Sequence, residues 1–423
     1  MSSTPQLAVV YDRGAVEPGR IVRSLGDVAD LHFLVPRSEH ARSVLPFLEQ
    51  HGSVRMVDRV LASGSRYAGR FDGIVTFSEQ MLLRTAQVAA TLALDFSSPT
   101  TVTALTNKRT QRQQLSKAGV DEVRQAAATD PGSLRSAIDD IGLPAVVKPE
   151  VGEGSRHTYL VEAAADAERL VTSFGRAWPL LSGTAEPFVV EEYLADAPAD
   201  PRVGGYVSVE SVVVGGRPVH LAITGKFPLA PPFRERGQFW PAEPAPALRT
   251  RLLDLTGDAL RALGVRSGLT HTELKLTPTG PRLIEVNGRL GGDVAGIADR
   301  ATGLDLVRLA GEVALGGTEV HAPEPPEEVF FMYNHASPPG ARAVVAVEGT
   351  EEVRALDGVD EYFVWPLPQT VSPERSSPFD DVRGRANDHG AMYEIVARAG
   401  AALRIRFTTD GGGIIECSGL ELQ

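Results

Sequence analysis

Two short runs of alternating hydrophobicity joined by a tight turn constrain this chain more than any other feature: HTELKLTPTGPRLIEVNGR, from His271 to Arg289. In the first run Leu274 and Leu276 face one way and Glu273 and Lys275 the other; in the second, Ile284 and Val286 alternate with Glu285 and Asn287. A period of two in both arms means two antiparallel strands with one apolar and one polar face. With the turn at residues 277 to 281, Leu276 pairs with Arg282, and counting back along the ladder sets Glu273 directly across from Glu285. Like charges opposed in this way destabilise a sheet, which asks for a cation between them. Two carboxylates and the Asn287 amide form an all-oxygen donor set that suits Mg²⁺, with Mn²⁺ as an alternative ion. Solvated charges on a strand face are the plain competing reading. His271, two residues before Glu273, shares the same face.

A second group of residues suits phosphate. Lys148 closes the apolar strand LPAVVKP and precedes the turn VGEGSRH, in which Gly152, Gly154 and Ser155 allow close backbone approach. The next run, TYLVE, makes the unit a hairpin with a mobile tip. The loop lacks the lysine of a Walker motif, so alone it is better read as a plain hairpin turn. Lys108 lies in a polar helix expected over 103–118 and ended by Gly119. Fixed lysines serve as point charges for phosphates. The run EPFVVEEYL, from Glu186 to Leu194, is a strand entering a bend; its backbone suits a purine edge, with Tyr193 and Leu194 covering the ring, although taken alone it is better read as a strand end with surface glutamates. YVSVESVVVGGRPVHLAIT is a pair of strands turning at Gly215 and Gly216.

At 423 residues the chain has room for roughly three domains. Strand-like and helical runs alternate up to about Ser98, which implies a doubly wound parallel sheet. Boundaries are expected at 1–103 for this α/β block, 104–323 for a central region whose part 140–212 is a lid lobe, and 324–423 for a small β-rich cap following the linker HAPEPPEE. The net charge of -12, without a basic cluster, argues against nucleic acid as a partner. No stretch approaches a membrane span, and the N-terminus lacks the layout of a secretory signal, so a cytoplasmic address is expected. The single cysteine, Cys417, forms no internal disulfide. His157 and His220 are expected to be structural. Arg234 and Arg236, in a proline-rich loop, could grip a substrate carboxylate or be solvated.

In order, NKRTQRQQLSKAGV, PAVVKPEVGEGS, VVEEYL, YVSVESVV and the pair HTELKL and LIEVNGRLGGD resemble the ATP-grasp superfamily over residues 100 to 310. The resemblance implies an ATP-grasp fold, α/β in its first domain and α+β overall, using ATP with Mg²⁺. It assigns Lys108, Lys148 and Gly152 to Ser155 to the phosphates and Glu191, Glu192, Tyr193 and Leu194 to the adenine hinge. Glu210 falls where nucleotide or metal is contacted, and Glu273, Glu285 and Asn287 match the metal ligands. Arg289, with His271 and Lys275, is placed at the reacting centre. Within the superfamily HTELKLTPTGPRLIEVNGRLGGD is most similar to the L-amino acid ligases. There Gly291 and Gly292 would shape the second-substrate pocket, and ITGKFPLAPPFRERGQFWPAE resembles the substrate loop, with Arg234 and with Gln238 where a histidine is expected. This implies a ligase that joins amino acids or small carboxylic acids through an acyl-phosphate, with a homodimer as the default assembly. A biotin carboxylase-like enzyme and a non-catalytic ATP-binding regulator are the alternatives.

Overall fold

The computed structural model describes residues 4–181, 187–198, 200–372 and 376–423. Its first block is a parallel sheet of β1 (Gln6–Val10), β2 (Asp30–Val35), β3 (Ser53–Met56) and β4 (Gly73–Thr76), in the order β3-β2-β1-β4. Leu7, Val9 and Phe33 are buried on one face and Ala8, Val10 and Leu34 on the other, so these strands are near-continuous apolar runs. The chain leaves β1 in one direction to β2 and returns on its other side as β4. The loops after β1 and β4 therefore open the crevice typical of a doubly wound sheet.

A second, antiparallel sheet comprises β5 (Gln125–Ala128), β6 (Ala145–Pro149), β7 (Tyr159–Val161) and β8 (Phe188–Glu192), in the order β5-β8-β6-β7; it starts before the bound of 140 expected for the lid lobe, and residues 206–212 belong to the next sheet instead. Val147, Val161, Phe188 and Val190 pack there under the helices Pro131–Ile141 and Ala164–Leu181. The hairpin β6–β7 is the one expected around VGEGSRH. Of the strand expected over 186–194, residue 186 lies outside the described residues and β8 occupies the middle.

The central sheet comprises β9 (Tyr206–Val214), β10 (Arg217–Lys226), β11 (Gly237–Trp240), β12 (Gly268–Thr277) and β13 (Gly280–Asn287), in the order β13-β12-β9-β10-β11. Gly215 and Gly216, at φ 57° and 82°, form the two-residue turn between β9 and β10, which needs left-handed backbone at both positions. The remaining strands are β14 (Val329–Tyr333), β15 (Ala341–Glu348), β16 (Val359–Val364), β17 (Gln369–Thr370), β18 (Asp380–Ala386), β19 (Arg404–Thr409) and β20 (Ile414–Ser418). The C-terminal block is β-rich as expected, but only part of it stands apart. β14, β18 and β16 extend the central sheet beyond β11, and β17-β15-β19-β20 make a separate sheet. Alternation in sequence reports strands but not their distant partners. No helix among the described residues is long and apolar enough to cross a membrane.

The helix expected over 103–118 is in fact two, Pro99–Thr106 and Lys108–Lys117. Asn107 divides them, its side chain accepting from Thr110 N at 2.8 Å as an N-cap and donating to Glu150 Oε2 at 2.9 Å. The division makes Lys108 the first residue of the second helix, beside the lid hairpin.

Candidate functional site

One cleft lies between the lid lobe and the central sheet, lined by Lys108, Lys148, Gly152, Ser155, Tyr193, Leu194, Glu273, Lys275, Ile284 and Glu285, among others. Lys148 ends β6 with its Nζ 2.8 Å from Glu191 Oε2. Glu191 is held on both oxygens by Arg112, from Nε and NH2 at 3.1 Å, and Arg112 also donates to the carbonyls of Leu283 and Ile284 at 2.7 and 2.8 Å. Burial would raise the Glu191 carboxyl, yet Arg112 and Lys148 pull it down to about 2. Burial lowers the Lys148 ammonium, with Glu191 only partly opposing. Lys108 Nζ reaches Gly152 O at 2.7 Å and Glu285 Oε2 at 3.2 Å, bridging the lid loop and the carboxylate face.

Glu273 and Glu285 are paired across β12 and β13, as the alternation implies, but by another route. Thr277 pairs with Gly280 and Leu276 with Pro281, so the turn is one step tighter than expected. A bulge at Ile284 then restores the opposition of the two glutamates. It also corrects the expected face of Ile284: Leu283 and Val286 enter the core, while Ile284 lines the cleft next to Glu285. Burial raises the Glu285 carboxyl, but Lys108, Lys148 and a 3.2 Å bond from Asn287 hold it down to about 2. Two carboxylates and an amide on facing strands fit a hard divalent cation that keeps other positions for phosphate and water. Glu273, Glu285 and Asn287 would hold it.

Glu210 lies behind this face, with its carboxylate on His271 Nδ1 at 2.8 Å, while His271 Nε2 is 3.2 Å from Glu273. Burial disfavours the charged imidazole, but Glu210 and Glu273 outweigh it and raise His271 to about 9. Glu210 therefore meets the cleft only through His271. Gly291 packs on this ring so closely that a Cβ would lie 2.5 Å from Nδ1.

The other expected residues are distributed less uniformly. Arg289 pairs with Glu79 of the first block at 3.0 Å. Lys275 pairs with Asp196 at 2.6 Å and lies over the Tyr193 ring, so it walls the cleft at the Tyr193 end. Glu192 turns outward to Arg124 at 3.0 Å. Arg234 does not reach the cleft: it donates to Pro231 O at 3.0 Å and Ser337 O at 2.9 Å, pinning its own loop. Gln238 accepts from Lys226 Nζ at 2.9 Å and donates to Gly292 O at 2.7 Å, so a neutral amide spans the position where a histidine was expected. Arg112, Lys226, Glu79 and Ile284 are the residues sequence reasoning missed. Only Arg112 carried a signal, lying one helical turn after Lys108 on the same face.

A family model described as an ATP-grasp domain matches residues 141–297. The uncharacterized protein y4rH of Sinorhizobium fredii is 28% identical over 74% of this chain, which spans 63% of that relative's length. Alanine–anticapsin ligase of Bacillus subtilis is 23% identical over 76% of this chain and 71% of its own. An L-amino acid ligase from Bacillus licheniformis shares the fold at TM-score 0.76 and 21% identity, over 96% of this chain and 99% of that one. The matched segment runs from the lid hairpin through the opposed glutamates to the glycine loop, so residues 141–297 match an ATP-grasp domain, and over nearly its whole length the chain is similar in fold to an L-amino acid ligase.

Proposed function

We propose that this chain is an ATP-dependent carboxylate–amine ligase that joins an amino acid or small acid to an amino acid, releasing ADP and phosphate through an acyl-phosphate. The observation that carries the reading is the meeting of Lys108 and Lys148 with the opposed Glu273 and Glu285 in one cleft. A divalent cation there neutralises phosphate charge. Lys108 and Lys148 add two fixed positive charges at the same end, which is what phosphoryl transfer chiefly requires. In this reading Arg289, paired with Glu79, is the residue that steadies the transferred phosphate, and His271 holds Glu273 in place. The loop Gly152 to Ser155 lines the cleft, and its closure over bound nucleotide would exclude water that hydrolyses an acyl-phosphate. Tyr193, Leu194 and Ile284 supply apolar surface for the base. A cytoplasmic address and a homodimer belong to the same reading.

The test is ADP and phosphate release with Mg-ATP against amino acids and small acids, singly and in pairs, with products weighed by mass spectrometry. Release that needs two partners and yields a condensed mass is expected. ATP binding with no turnover on any pair would favour a regulator instead, and turnover with free biotin and bicarbonate would favour a carboxylase.

A further inference from the structure

The lid loop is gripped at two points. Lys108 holds its first half, the backbone N–H donating to Glu150 O at 2.8 Å and Nζ to Gly152 O at 2.7 Å. Its second half is held from elsewhere in the chain: Gly154 O accepts from Ser376 N at 3.4 Å. Ser376 lies between β17 and β18 in the C-terminal block, and among the described residues none of that block lines the cleft. Gly154 sits at φ 65°, and a Cβ on it would meet nothing within 4 Å. The loop's path there is set by a left-handed backbone that glycine adopts freely, not by crowding.

A single long bond between two loops holds only as well as Ser376 is itself fixed, and Ser376 is fixed by its side chain. The hydroxyl accepts from Glu235 N at 3.1 Å. Glu235 lies on the loop between β10 and β11, lines the cleft, and accepts from the Tyr206 hydroxyl at 3.2 Å. Both neighbours of Glu235 are tied down: Arg234 donates to Ser337 O at 2.9 Å, and Arg236 O accepts from Asn334 N at 2.6 Å. Behind Ser376, Ser377 Oγ accepts from Ser372 N at 2.9 Å, and Trp365 N donates to the carbonyl of the fully buried Phe379 at 3.0 Å. Ser376 therefore stands on an anchored loop through its hydroxyl and holds the lid loop through its N–H.

We infer that Ser376 is a positioning residue, the catch by which the C-terminal block holds the lid loop against the loop that carries Glu235. Covering the phosphate end and placing Glu235 then become one event. Only the purpose of closure rests on the ligase reading; the catch itself is a property of the fold. One ordinary intramolecular hydrogen bond corresponds to about two- to tenfold in a local opening equilibrium.

Arg156, exposed in the same loop, supplies the readout. Trypsin needs an extended substrate, so with dilute trypsin the rate of cleavage after Arg156 in the full chain, read from fragment masses, follows the open fraction of the loop. Ser376→Ala loses the anchor to Glu235 and should be cut there about threefold or more faster than the wild type, with Tm within about a degree. Ser376→Thr keeps the hydroxyl and should be cut at close to the wild-type rate. Ser377→Ala removes a bond of the same segment that does not touch the lid loop, and it should also match the wild type. Amide exchange over residues 152–157 makes the same comparison without protease. The inference is overturned if S376A is cut and exchanges there no faster than the wild type, or if S377A opens the loop as much as S376A does. Failure of the ligase reading looks different: loop opening would still depend on Ser376, but no pair of substrates would yield a condensed product.

Discussion

Arg112 is buried and makes four hydrogen bonds at this site: two to Glu191 and two to the carbonyls at the bulge of β13. Removing one partner of a buried ion pair strands the other charge, at a cost of about 3 to 5 kcal/mol. Arg112→Ala should therefore lower the urea unfolding free energy by that order; a loss below about 1 kcal/mol would show that the network contributes little. Glu191 gives the same network a pH signature. Its carboxyl is depressed in the fold to about 2, against about 4.3 in an unfolded chain, so its contribution is present above the unfolded value and disappears as pH falls through about 2. Glu191→Gln should destabilise the protein at pH 7 and progressively less from about pH 4.3 downward, a trend that denaturant titrations at several pH values would reveal or refute. Neither residue's partner could be found by spacing. Lys148, Glu273, Glu285 and Asn287 were legible because each lies on a short strand with clear alternation, whereas Arg112 finds Glu191 and Arg289 finds Glu79 across separate elements.

At the scale of elements, the paired strands β12 and β13 show how a local rule can reach the right place by the wrong path. Counting from the turn opposed Glu273 to Glu285, but the turn is tighter and Ile284 is the extra residue that restores the register. Nothing in TPTGP or LIEVN announces a bulge, because it depends on the fit of Ile284 into the cleft and on Arg112 donating to the Ile284 carbonyl. The glycine loop that follows gives a sharper prediction, since its two adjacent glycines differ in surroundings. A Cβ on Gly291 would meet His271 Nδ1 at 2.5 Å and Val294 Cγ2 at 2.8 Å, while one on Gly292 would meet nothing within 4 Å. Gly291→Ala must displace a ring bonded on both nitrogens, so the Mg-ATP-dependent rate should fall about tenfold or more with a lowered Tm. Gly292→Ala should leave Tm within about a degree, reflecting the small effect of substitutions that meet open space. Equal Tm losses for the two variants would mean that His271 is not held as tightly as its bonds indicate.

For the whole molecule, the decisive junction is between β11 and β14. The sequence suggests a C-terminal cap behind a proline-rich linker, and β-richness was legible there, yet β14, β18 and β16 continue the central sheet instead of closing on themselves. Their shared core confirms the continuity: Phe227 and Phe239, from the central region, pack with Phe331, Tyr333, Phe379 and Phe407. Cutting the chain after Gly317 would remove that half of the core and leave β11 as an open edge bearing Phe239 and Trp240, the kind of edge that pairs with other chains. Residues 318–423 alone would keep β14, β16 and β18 but expose the edge of β14 that β11 covers. Each piece should accordingly aggregate or lack a cooperative unfolding transition when expressed separately, and mixing them should not restore nucleotide binding. Two soluble pieces, each unfolding cooperatively with a midpoint close to one in the intact chain, would instead make the C-terminal block an independent domain.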